Sequence, residues 1–68
     1  MDNKIKFVAS PDGYSGYLYL SNHPGENTVG CAVKQIRLME ILAGSVNYEV
    51  FIDLDKNGNP IGIEIEGE

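Results

Sequence analysis

Apolar side chains recur at every second position through much of this chain, which is the period of half-buried β-strands. Lys4, Lys6, Ile5 and Phe7 alternate and predict a first strand over 4–8. Ser10-Pro11-Asp12-Gly13 follows as a turn: Pro presets φ, Asp bonds to nearby backbone, and Gly accepts positive φ. Residues 16–21 predict a second strand with Tyr17 and Tyr19 on one face and Leu18 and Leu20 on the other. Residues 22–27, with Pro24-Gly25 at their centre, predict a polar loop. A third strand is expected over 31–37. Residues 38–43 hold good helix formers ahead of Gly44 and predict one or two helical turns, with a loop as the alternative because no good N-cap precedes them.

The closing segment is the most regular. Tyr48, Val50, Ile52 and Leu54 share one parity, and Ile61, Ile63 and Ile65 share another. Between them stands Asn57-Gly58, the strongest short signal for a two-residue type I′ hairpin turn. That turn sets Leu54 against Ile61, Ile52 against Ile63 and Val50 against Ile65, all on one face. A three-residue loop would set Asp53 against Ile61, and a one-residue slip reverses every side chain, so the two-residue turn is preferred. Pro60 then lies opposite Asp55, where no cross-strand N–H is needed. The expected fold is α+β but mainly β: one domain over 1–68, a small antiparallel sheet of about five strands in the order β-β-β-(short α)-β-β, closed by the Asn-Gly hairpin.

Composition narrows the function classes. The 68 residues are 43% apolar and 22% charged, an ordinary globular balance. Ten acidic side chains against five basic ones give a net charge of −5, which argues against a nucleic-acid partner. One cysteine, Cys31, excludes an internal disulfide. The polar start Met1-Asp2-Asn3-Lys4 predicts no signal peptide, and no apolar stretch approaches the ~20 residues of a membrane span. A cytoplasmic address and no membrane partner are expected.

One motif matches a known chemistry. Residues 53–64 fit the calcium loop of an EF-hand, with Asp53, Asp55, Asn57 and Glu64 as oxygen ligands and Gly58 at the bend. That loop needs a helix on each side, whereas both flanks here have strand period, and Pro60 replaces the usual β-branched residue. The expected reading is a hairpin with a solvated acidic face, no metal and no cofactor. His23 has no second histidine nearby and reads as a surface residue. Cys31 reads as a half-buried structural thiol, with Lys34 on the opposite strand face. The serines at 10, 15, 21 and 45 have no evident base, so no nucleophilic triad is expected.

Tyr17 and Tyr19, with Phe51 from another strand and the lone arginine Arg37, are the candidate partner-binding residues, because aromatic side chains and Arg are enriched in interface cores. Covering the second face of a thin sheet is the alternative role for the aromatic ones.

Gly16-Tyr17-Leu18-Tyr19-Leu20, Lys34-Gln35-Ile36-Arg37-Leu38, Phe51-Ile52-Asp53-Leu54-Asp55-Lys56-Asn57-Gly58 and Ile61-Gly62-Ile63-Glu64-Ile65 together resemble the family named domain of unknown function twenty-two eighty-three. The resemblance spans about 4–66 and is most specific in the closing hairpin; the middle, 29–48, is longer than in shorter members. It implies a small β-rich bacterial or phage-encoded domain with no assigned catalytic residues. The expected function is a non-enzymatic, homodimeric protein-interaction module, antitoxin-like or a phage-encoded inhibitor or regulator, acting on an unidentified protein partner. The alternative is a small-ligand binder whose pocket forms between subunits from Tyr17, Tyr19 and Arg37.

Overall fold

A computed structural model describes residues 4–25, 30–41 and 47–67. Five strands form one open antiparallel sheet: β1 (Lys6–Ala9), β2 (Ser15–Tyr19), β3 (Lys34–Arg37), β4 (Glu49–Leu54) and β5 (Pro60–Glu66), in the spatial order β1-β2-β5-β4-β3. The protein is therefore mainly β, as its periodicity predicts. The expected α-helix over 38–43 is not formed in its described part, 38–41. Leu38–Glu40 make a single 3-10 turn, with no side-chain cap at Arg37, while 42 and 43, like Gly44 and Ser45, lie outside the described residues. Without a capping side chain the orphan N–H groups gain nothing from a longer helix. The third strand also starts later than expected, at Lys34.

Each face of the sheet follows from strand parity. One is aliphatic, and a single row of paired residues crosses all five strands: Phe7–Leu18–Ile63–Ile52–Ile36. The other is polar and aromatic. Its two central rows are Lys6–Tyr19–Gly62–Asp53–Gln35 and Val8–Tyr17–Glu64–Phe51–Arg37. Among the described elements the main contacts are those between sheet neighbours, together with the 3-10 turn against β4. Ile61, at 1% exposure, is accordingly the one fully buried apolar side chain among the described residues.

The closing hairpin corrects the expected turn. A type I′ turn needs positive φ at both central residues, yet no described non-glycine residue has it; Gly58 alone does, at 82°. The Asp55 carbonyl accepts the Gly58 N–H at 3.0 Å, and the Asp55 N–H reaches the Asn59 carbonyl at 2.9 Å. The loop is thus three residues, Lys56-Asn57-Gly58. Asp55 imposes it, because its Oδ1 accepts the N–H groups of Asn57 and Asn59 at 2.9 and 3.0 Å. The longer loop shifts the register by one, and a β-bulge shifts it back. Leu54 pairs with Pro60 instead of Ile61, Asp53 pairs with Gly62, and Ile61 has no counterpart on β4. The two departures cancel, so the pairs Ile52–Ile63 and Val50–Ile65 stand as the pattern predicts. The first hairpin uses the same device: Gly13, at φ 79°, donates its N–H to the Ser10 carbonyl at 3.0 Å.

Gly62 is buried in the strand interior, where glycine is otherwise costly. The reason is steric. A Cβ at 62 would overlap the Tyr17 ring and hydroxyl, which lie across it. Gly62→Ala is expected to lower stability by about 1–3 kcal/mol. In a Tyr17→Ala background the same substitution should cost little. Urea denaturation of the four-member cycle checks this, and equal costs in both backgrounds would remove Tyr17 as the cause.

Candidate functional site

The polar face carries the concentration of chemistry. Asp53, expected on a solvated acidic face, is instead 8% exposed. A buried carboxylate needs donors, and two reach it. The Tyr17 hydroxyl donates to Oδ2 at 2.7 Å, and the Gln35 side-chain amide donates to Oδ1 at 2.9 Å. Tyr17 stands two strands away and leans diagonally over Gly62, whose missing side chain gives it passage. The Tyr17 phenol is held well above its ordinary value, first by burial and then by the bond to Asp53 and that group's charge, so it stays a neutral donor.

Gln35 Nε2 also lies 3.3 Å from Glu64 Oε1. The Glu64 carboxyl is pushed above its ordinary 4.5, first by burial, then by the hydrogen bond and charge of Glu66 and the charge of Asp53; the Gln35 amide pulls it down.

Next to Asp53, three rings pack edge to face. Tyr17 and Tyr19 have centroids 4.6 Å apart, and the His23 ring stands 4.7 Å from Tyr19 and 5.8 Å from Tyr17. His23 is thus a half-buried member of an aromatic cluster, which corrects its expected place on the surface. Its Nδ1 accepts the Gly25 N–H at 2.9 Å. A neutral ring must then carry its proton on Nε2, and that atom lies 3.7 Å from Cys31 Sγ. In that tautomer the imidazole donates to sulfur. The lone pair a general base would need is already taken by Gly25, so the pair is not wired for nucleophilic catalysis. Tyr17, Tyr19, His23, Cys31 and Asp53 border a cavity of about 240 Å³. A larger depression, about 630 Å³, lies where the Ser10–Ser15 turn meets Glu66 and Gly67 and shares Tyr17 with this cluster.

The residues singled out from the sequence scatter over the polar face. Tyr17 and Tyr19 line the cavity. Phe51 and Arg37 pair with each other in the neighbouring row and do not. Arg37 grips Glu49 through two bonds of 2.7 and 2.6 Å, which hold the Glu49 carboxylate below its usual range. The EF-hand residues do not converge: Asp53 is bound within the sheet, Asp55 holds the turn, and Glu64 stands opposite Phe51. Among the described residues no three His, Cys, Asp or Glu side chains are placed to hold a metal ion. No described helix is long and apolar enough to cross a membrane. No spacing or motif signals Gln35 or the meeting of His23 with Cys31, because both depend on tertiary placement. No family model, curated protein or solved structure matches this chain.

Two measurements test this geometry. Because the folded protein holds the Glu64 proton more tightly than the unfolded chain, the ionised carboxylate costs stability at neutral pH, and the cost vanishes below its ordinary value. Glu64→Gln is therefore expected to raise Tm at pH 7 by about 1–4 °C, the gain shrinking as pH falls towards ~4.5 and gone below it. Thermal melts between pH 3 and 7, read as wild type against variant, check the sign. Separately, Tm is expected to be the same in excess chelator and in about 1 mM calcium. A calcium-dependent rise that Asp55→Asn abolishes would overturn that.

Proposed function

We propose that this chain is a non-enzymatic protein-interaction module that works as a homodimer, the second copy covering the aliphatic face of the sheet. One observation carries this: an apolar row runs the full width of the sheet, and among the described elements the 3-10 turn against β4 is the main one outside the sheet that packs on it. A sheet hydrophobic on one face is stable only when that face meets a second layer. Phe7 at one end of the row is 54% exposed, with Ile5 at 64% beside it in sequence. A second copy supplies the missing layer with matched chemistry, and closed two-fold dimers are the commonest such solution. The hot spots of such an interface would be the row itself, with the charged residues of the turns at its rim.

Sedimentation velocity at micromolar concentration is expected to show one species at twice the 7.4 kDa chain mass. Phe7→Glu places a charge at the exposed end of the row, where the isolated sheet loses little by it. It should give a monomer with an unchanged far-ultraviolet circular dichroism spectrum. A monomeric wild type would overturn the proposal.

A further inference from the structure

Several of the donors around the 240 Å³ cavity are already engaged. The Tyr17 O–H is spent on Asp53, the His23 Nε2–H on Cys31, and the Gln35 amide on Asp53 and Glu64. What Tyr17 and Asp53 leave is acceptor in character, lone pairs on the phenol oxygen and the carboxylate, beside aromatic ring surface, and the Tyr19 hydroxyl, which also borders the cavity, can accept as well as donate. Tyrosine faces attract cations through their quadrupole, most strongly where water is excluded. The chain's net charge of −5 attracts a cation from a distance as well. Lys6, which pairs with Tyr19 on this face, does not line the cavity.

From this arrangement we infer that the cavity bordered by Tyr17, Tyr19, His23, Cys31 and Asp53 is a binding site for an alkylammonium group. Its volume, below the ~300–1,000 Å³ of pockets that enclose whole small molecules, fits one functional group at the end of a chain. Ammonium is favoured over guanidinium. A guanidinium binds a carboxylate through two parallel bonds, and both Asp53 oxygens already serve Tyr17 and Gln35. A compact ammonium needs one remaining lone pair and ring surface around its methylenes. The group can belong to a lysine of a protein partner or to a free alkylamine. The site lies on the face opposite the aliphatic row, so the inference does not rest on dimerisation.

The test is an NMR titration of the ¹⁵N-labelled protein with n-butylammonium chloride, at ionic strength fixed with sodium chloride. Amide shifts at Tyr17, Tyr19, His23 and Cys31 are expected to saturate, with a midpoint on the order of 1–10 mM. The neutral analogue n-butanol should produce less than about a tenth of that affinity, and Tyr19→Leu should weaken butylammonium by about tenfold. Asp53→Asn should weaken it further, and Tyr19→Leu decides the matter where Asp53→Asn fails to fold. Saturation by butanol at the same midpoint, no saturation by ~100 mM, or an unchanged midpoint in folded Tyr19→Leu would each overturn the inference. A second arm uses the peptide acetyl-Gly-Lys-Gly-amide. Binding about tenfold tighter than butylammonium assigns the site to a protein partner's lysine, and equal binding assigns it to a free amine.

Discussion

The buried carboxylate of Asp53 is the point on which the polar face depends. An ionised group taken out of water costs several kcal/mol unless its lone pairs are met, and here the donors come from two other strands. Tyr17 reaches it from β2 and Gln35 from β3, so one side chain on β4 ties together strands that do not otherwise touch. The bond from Tyr17 exists only because position 62 carries no Cβ. Gly62, Tyr17, Asp53 and Gln35 thus form a single unit. Each removal leaves another member stranded, which is why such a network specifies the order of the strands as well as adding to stability.

That unit also decides how the two faces divide their roles. The polar face is held from within, by side chains that satisfy one another. The aliphatic face has no equivalent. Its aliphatic residues on β2 to β5 are half-buried, and Ile61 at the bulge is the only one fully closed off among the described residues. Phe7 lies over Gly16 on the aliphatic face much as Tyr17 lies over Gly62 on the other. A ring laid over a glycine covers exposed backbone locally, but it does not make a second layer. The internal bonding of one face therefore leaves the demand for burial concentrated on the other.

Strand number and the facing of nearly every strand residue were legible in the sequence, because period-two alternation is a local property that a one-face burial enforces. The closing turn was not. Asn57-Gly58 carries a strong I′ signal, yet Asp55 just before it competes with two backbone hydrogen bonds that the longer loop alone permits. The wrong loop still predicted the right faces, since the bulge between Asp53 and Leu54 restores the lost residue. Illegible for a different reason was the cavity cluster. His23 and Cys31 stand 8 residues apart in sequence, and their approach to Tyr17 and Tyr19 depends on tertiary placement that no spacing encodes.

The EF-hand match resolves on the same physics. A calcium loop and this hairpin ask for the same residue types for different reasons. Both need glycine where the chain turns with positive φ, and Gly58 supplies it. Both need an acidic oxygen to gather N–H groups at the bend, and Asp55 does so here. In a calcium loop the remaining carboxylates point inward because two helices hold the loop closed around an ion. In this sheet Asp53 and Glu64 belong to paired strands, so their spacing is fixed by the ladder. Asp53 meets its charge with Tyr17 and Gln35, and Glu64 shares the same Gln35 amide. The pattern records the chemistry of a tight acidic turn, and the flanking secondary structure determines whether that turn closes around a cation or joins two strands.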